Sequence, residues 1–268
     1  MNEIISSFFE EKKIEYFSVL DYSDCREINH GIMARENFSP KSVITFLIPY
    51  YTAPVKNLSV YAASLDYHLI IREITGELIA LLSEKYPRNS FRGYGDHSPI
   101  DERHAALIAG LGILGDSGLL INEKYGTFVF IADVVTDIPP DELGAAAPRE
   151  VELCTHCGAC RRACPTGILR SEGDDCLSAI TQRKGELADF EVEMMRKCDT
   201  VWGCDVCQLA CPYNREVQKT PLEFFHLDRI ECLTTDILES FSKADFALRA
   251  FAWRGRKTVA RNLEKLGY

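Results

Sequence analysis

The chain has no run of apolar residues approaching the roughly 20 that a membrane-spanning helix needs. Its first segment, MNEIISSFFEEKKIEYF, carries acids where a secretory signal needs basic residues. No membrane partner is therefore expected, and the expected compartment is the cytoplasm. A basic surplus is missing too: the net charge is −10 over 268 residues, which disfavours a general nucleic-acid binder, because phosphate contacts need Lys and Arg. No glycine fingerprint for a dinucleotide follows a strand-like run, since the glycines of GLGILG sit at a helix end. Internal repeats and low-complexity blocks are absent apart from the cysteine pattern. What remains is a globular chain, 46% hydrophobic, with enough apolar residues to fill an interior.

Residues 1–13 read as a short helix, and SVITFLIPYY (42–51) as a buried strand of β-branched and aromatic residues. The segment from Tyr61 to Tyr86 has apolar residues at helical spacing and predicts one long amphipathic helix. NSFRGY predicts a short strand, GDHSP a turn, and IDERHAALIAGLG a helix ended by its glycines. GLLINEKYGTFVFIADVVTD alternates about a polar turn, as a hairpin of two strands would. These segments predict an α/β or α+β core over 1–135. The Pro-, Gly- and Ala-rich 136–150 reads as a linker, 151–222 as a cysteine-rich module and 223–268 as a helical tail. Counted from residue 241, that tail is net +5 and the remainder −15. A solvated helix face explains such a bias as readily as an anionic partner does.

Eleven cysteines in a reducing compartment point to metal rather than disulfides. In CTHCGACRRACPTGI, Cys154, Cys157, Cys160 and Cys164 have the spacing C-x2-C-x2-C-x3-C-P. Three thiolates so spaced can reach one 4Fe–4S cube while the fourth passes to a second cube. Structural zinc usually takes two knuckles set farther apart. GCDVCQLACPYN adds Cys204, Cys207 and Cys211. By the exchange pattern of two-cluster ferredoxins, Cys154, Cys157, Cys160 and Cys211 hold one cube. Cys164, Cys204 and Cys207 hold the other with an eighth ligand, for which Cys176 and Cys198 are the candidates. Cys25 and Cys232 read as free buried thiols. Two cubes form an electron conduit, which implies an external low-potential donor and an internal acceptor cofactor in the preceding domain.

The ordered stretches SVYAASLDYH, GDHSPIDERHAALIAGLGILGDSGLLI, CTHCGACRRACPTGI, CLSA, WGCDVCQLACPYNR and AFAWRGRKTVARN resemble the epoxyqueuosine reductases, over nearly the whole chain from about residue 42. The resemblance implies an α+β fold in which a nitroreductase-like α/β core holds cobalamin and a ferredoxin-like module carries two 4Fe–4S clusters. It implies reduction of an epoxide in tRNA to the alkene, with loss of water, at the end of queuosine synthesis. It places the proton-donating acid on Asp96 and the active-site arginine on Arg103, puts Asp66 and His68 in the corrinoid pocket, and favours Cys176 as the eighth cluster ligand.

From the residues alone, Asp96 before Ser-Pro is a turn former that bonds nearby amides, and His68 is a boundary histidine. Arg103 reads equally as an ion-pair residue, and Asp101 and Glu102 are explained by the dipole of the helix they begin. The general-acid role predicts Asp96 in a partly desolvated pocket. The chain departs from the family at Ile113 and Asp116, where Trp and Lys are common, and at Val60, where an Arg is. It is also shorter than typical members, so tRNA contact is expected to be weak and to come from the basic tail. Two other functions fit the same residues: a corrinoid reductase of a small organic substrate, and a non-enzymatic electron carrier.

Overall fold

A computed structural model describes residues 2–171 and 175–268. The chain forms two compact units, one comprising the chain up to Pro49 together with His68–Thr155, the other Tyr50–Tyr67 with His156–Tyr268. These bounds differ from the sequence-derived segments, because the stretch after Pro49 leaves the sheet and pairs within the second unit, where Leu58 bridges Trp202 and Leu65 bridges Arg249.

The first unit contains α1 (Glu3–Glu11), β1 (Phe17–Asp21), α2 (His30–Met33), β2 (Ser42–Pro49), α3 (Tyr67–Lys85), β3 (Phe91–Tyr94), α4 (Glu102–Ile108), β4 (Ile113–Leu114), β5 (Leu120–Ile121), β6 (Val129–Thr136) and α5 (Pro140–Leu143). Its antiparallel sheet has the order β1-β2-β6-β3. Every residue of β2 is buried, as a run so rich in β-branched residues requires when both sheet faces are covered. Val43, Leu47 and Val135 pack with Ala105, Ala106 and Ile108 of α4. On the alternate positions Phe46 meets Phe9 of α1, ring centroids 4.8 Å apart.

Three expectations change. The long helix begins at Tyr67 rather than Tyr61, because 60–62 form a single 3-10 turn. The expected hairpin does not form: β5 pairs with β4, while β6 has β2 on one side and β3 on the other, leaving no edge for β5. The expected linker contains α5, with Ile138 and Leu143 fully buried and the Leu143 carbonyl accepting from the Asn2 N–H.

The second unit is mostly short helices: α6 (Ala159–Ala163), α7 (Leu177–Gln182), α8 (Asp189–Lys197), α9 (Val206–Leu209), α10 (Thr235–Ser240), α11 (Lys243–Ala247) and α12 (Arg256–Leu266). Trp202, Phe251, Val259 and Leu263 form its core. Buried Asn262 ties the parts together, its Nδ2 donating to the carbonyls of Thr181 and Val201 at 2.7 and 2.8 Å. Among the described residues no helix is long and apolar enough to cross a membrane.

Candidate functional site

In the first unit the geometry centres on the turn between β3 and α4. Asp96 sits there at φ +65°, a left-handed conformation that Asp adopts more readily than most residues. Its Oδ2 lies 3.7 Å from His68 Nε2 at the start of α3, with side-chain exposures of 55% and 37%. Asp96 is thus more open to solvent than the sequence-based expectation of a partly desolvated acid. His68, Ile71 and Thr75 recur at helical spacing along α3, and this row receives the turn. A Cβ on Gly93 would stand 2.6 Å from Thr75, and one on Gly95 2.8 Å from Ile71, so the two glycines are what lets the backbone leading to Asp96 lie against the helix.

Arg103 points elsewhere on its helix surface. Its Nη1 donates to the Gly118 carbonyl at 3.0 Å, and its Nε lies 3.9 Å from Asp101 Oδ1. Asp101 is the N-cap of α4, accepting from the His104 N–H at 3.2 Å, as a helix-start reading requires. Glu102 does not fit that reading. Its carboxyl turns inward, with Oε1 buried, and is raised well above the carboxylate range by burial, then by the negative charges of Asp133 and Asp96. Asp133 is fully buried on β6, opposite Thr45 and Tyr94 in the ladder. Burial raises it, while the hydroxyls of Thr45 and Ser98 hold it back. The Ser98 hydroxyl donates to Asp133 Oδ2 at 3.3 Å. Neither Glu102 nor Asp133 stood out in sequence, although a signal existed: Val129, Ile131, Asp133 and Val135 alternate onto one face of β6, and a carboxyl there interrupts an apolar row facing α4.

Asp66 belongs to the second unit, where its N–H donates to the Leu248 carbonyl at 2.8 Å. Val60 is buried there with its N–H donating to Asp205 Oδ2 at 2.7 Å. Asp205, deeply buried, is raised to about 6 by that burial, against the Val60 N–H and the Gln208 amide. Ile113 lies in β4 against Ile121. Cys154 closes the first unit, its N–H donating to the Leu114 carbonyl at 2.9 Å, and a carboxylate oxygen of Asp116 lies within 4.8 Å of its sulfur.

The other seven candidate ligands belong to the second unit, and none of the eleven cysteines is in a disulfide. Burial pushes the Cys204 thiol up to about 12, and the thiols of Cys176, Cys207 and Cys198 add to it. Cys207 is likewise pushed to about 12 by burial, Cys176, Asp205, Cys164 and Cys160. Thiols gathered so closely that each opposes its neighbour's ionisation suit a cationic metal core, which reverses that cost. Cys164 shows the complement: burial raises it, but the N–H groups of Leu169, Thr166 and Gly167 and the Thr166 hydroxyl outweigh burial and lower it. Main-chain donors around a sulfur are what an iron–sulfur thiolate needs. The donor set therefore fits the clusters. Cys176 acts on both Cys204 and Cys207, whereas Cys198 acts on Cys204 and is itself pushed up by burial and Cys164.

Residues 153–214 match the 4Fe-4S double cluster binding domain. The chain is 32% identical over 247 residues to an epoxyqueuosine reductase of Listeria monocytogenes, covering 83% of this chain and 62% of that protein. It is 32% identical over 235 residues to the epoxyqueuosine reductase of Cyclobacterium marinum, covering 80% of this chain and 73% of that one. Among solved structures, epoxyqueuosine reductase from Streptococcus thermophilus superposes with a TM-score of 0.79 at 23% identity, over 98% of this chain and 80% of that chain. Another, an epoxyqueuosine reductase crystallised with an epoxyqueuosine-modified tRNA stem loop, gives a TM-score of 0.74 at 21% identity over 98% of this chain and 80% of that chain. The two structures share this chain's fold.

Proposed function

Because this chain belongs to the epoxyqueuosine reductase family, we propose that it reduces the epoxide of epoxyqueuosine in tRNA to the alkene, taking up two electrons and two protons and releasing water. The observation that carries the assignment to particular residues is the Asp96–His68 pair at 3.7 Å on a turn packed against α3. Asp96 is the group that delivers a proton to the epoxide oxygen as the carbon–oxygen bond breaks. His68 orients Asp96 and, with Asp66, serves the cobalamin pocket of a nitroreductase-like core. Bound cobalamin would supply reducing equivalents at the carbon. Arg103, tied to Gly118, keeps donors of its fixed fork for a phosphate or amide side arm.

Electrons enter from an external low-potential donor through two 4Fe–4S clusters in a ferredoxin-like module. Their ligands are Cys154, Cys157, Cys160 and Cys211 for one, and Cys164, Cys176, Cys204 and Cys207 for the other. The thiolate-stabilising donors around Cys164 and the opposition of Cys176 to ionisation of Cys204 and Cys207 support this set. A reducing, cytoplasmic setting agrees with eleven cysteines that form no disulfide.

The test is anaerobic reconstitution with iron and sulfide, spectral titration with cobalamin, then turnover of epoxyqueuosine tRNA with a chemical reductant, read by mass spectrometry of the digested nucleosides. The expected result is stoichiometric corrinoid binding and loss of one oxygen from the modified base. Failure to bind any corrinoid under reducing conditions would overturn the assignment. Binding without tRNA turnover, but with reduction of a small epoxide, would move the substrate to the small-molecule class.

A further inference from the structure

The segment that delivers Cys154 is fastened to the β4–β5 hairpin. The Leu114 N–H donates to the Glu152 carbonyl at 2.8 Å, and the Cys154 N–H donates back to the Leu114 carbonyl at 2.9 Å, so Leu114 is bracketed by the two neighbours of Leu153. The hairpin then turns at once. The Gly118 N–H donates to the Gly115 carbonyl and the Gly115 N–H to the Leu119 carbonyl, each at 2.9 Å, with Gly118 left-handed at φ +77°. A left-handed glycine closing a type I corner is a common way to end so short a hairpin. Asp116 is the first corner residue of this turn. One short ladder therefore sets the backbone of both Asp116 and Cys154, and it brings a carboxylate oxygen of Asp116 within 4.8 Å of the Cys154 sulfur.

We propose that Asp116 tunes the 4Fe–4S cube that Cys154 ligates, its carboxylate disfavouring the electron-loaded state and so holding the potential of that cube low. The proposal rests on Cys154 being a cluster ligand, as the proposed function has it, and deepens that reading. Asp116 is a charge neighbour of the cube rather than a ninth ligand, because eight cysteines already suffice for two cubes and thiolate is the donor that iron–sulfur clusters select.

The sign follows from the charge that reduction adds. One electron from the external donor adds one negative charge to the cube and makes or breaks no bond, and a fixed carboxylate nearby opposes that addition. Net charge is among the determinants of cluster potential. At an effective dielectric of about 20, a unit charge within about 10 Å changes such an equilibrium by roughly tenfold. Asp116 and Cys154 are both half-buried, so solvent screens them less than two exposed groups. The turn carries one cation on its far side. Arg103 Nη1 donates to the Gly118 carbonyl at 3.0 Å, and its Nε lies 3.9 Å from Asp101 Oδ1, so its charge is shared with another acid. A lower potential makes the electron held on this cube a stronger reductant for the next acceptor.

Potentiometric titration of the anaerobically reconstituted protein, read by electron paramagnetic resonance of the reduced cubes at one pH and one ionic strength, requires neither tRNA nor cobalamin. Asp116→Asn is expected to keep the full iron content and to favour reduction of one cube by about tenfold, a rise of about 59 mV for one electron, while the other cube stays in place. Asp116→Lys should move the same cube further in the same direction. The Asn shift should persist in a His156→Gln background, which separates the carboxylate from the imidazole two residues beyond Cys154. Glu84→Gln, at an exposed position on α3, removes the same charge far along the chain and should move neither cube. Unmoved potentials in both Asp116 variants, or a shift that Glu84→Gln reproduces, would overturn the proposal. Loss of iron from Asp116→Asn would overturn it too, by making the carboxylate a ligand. Failure of the unmutated protein to take up two clusters would remove the proposed function and this inference with it, whereas unmoved potentials in a two-cluster protein remove this inference alone.

Discussion

As the proposed proton donor, Asp96 combines two demands that conflict in most carboxyl groups: it must reach a substrate and hold a proton. At 55% side-chain exposure it is reachable, and its neighbours Glu102 and Asp133 are acids rather than cations. Replacing it with Asn keeps the left-handed turn, since Asn tolerates φ +65° as well as Asp does, and removes only the titratable proton. Asp96→Asn is expected to bind cobalamin and both clusters normally yet lose turnover by roughly 10²-fold or more, the scale of general-acid assistance. Single-turnover rates on the cofactor-loaded protein check this; near-normal rates would shift the role to His68. Asp96 and His68 were legible in the sequence only through resemblance, because a turn aspartate and a boundary histidine carry no signature of their own. Glu102 passed as an ordinary first-turn acid because helix-start statistics do not reveal that its side chain turns inward. Asp133 needed the strand's facing to be known before its misplaced polarity had meaning.

At the scale of elements, the cysteine module was the most legible part, since thiolate spacing is dictated by the cube and survives without any tertiary information. The strand β2 and the turn 95–98 were legible for similar local reasons. Pairing was not: β5 was expected to continue into β6, but β6 is claimed on both edges by strands far away in sequence, a choice made by burial that no local alternation encodes. The 136–150 segment misled through composition, because Pro140 starts α5 and Gly144 ends it at φ +68°, so breakers framed an element rather than a linker. The proposed eighth cluster ligand belongs to this scale. Cys176 precedes α7 and acts on two thiols of the proposed second cube, while Cys198 follows α8 and acts on one of those two. Cys176→Ser is therefore expected to lower iron content by about half of the eight irons of a two-cube protein, and Cys198→Ser to leave it unchanged. Iron and acid-labile sulfide assays after anaerobic reconstitution decide; the reverse pattern would exchange the two residues.

For the whole molecule, the proposed tRNA substrate raises the question of how a chain of net charge −10 would meet a polyanion. The basic tail was the expected answer, yet most of its arginines are engaged by the fold. Arg249 donates to the Asp228 carbonyl, Arg256 to those of Leu238 and Phe241, and Arg261 to those of Arg183 and Gly185. Fastening helices in this way makes those side chains poor phosphate ligands, because leaving would give up hydrogen bonds to carbonyls that are mostly half-buried. Arg254 differs. Its guanidinium stacks 3.7 Å over the ring of Trp253, which is 60% exposed, a cation joined to an aromatic plane on which an unstacked base can rest. With few phosphate contacts available, tRNA affinity is expected to be modest and to fall steeply with salt. Arg254→Ala should weaken binding across tRNA sequences and reduce the slope of log affinity against log salt by about one, whereas Trp253→Ala should weaken it without changing that slope. Arg256→Ala, by contrast, should lower the unfolding midpoint, since it removes the hydrogen bonds that close α10 onto α12. Filter binding over a salt series, with thermal unfolding in parallel, separates the contributions. An Arg254→Ala slope equal to wild type would place the tRNA contact elsewhere on the molecule.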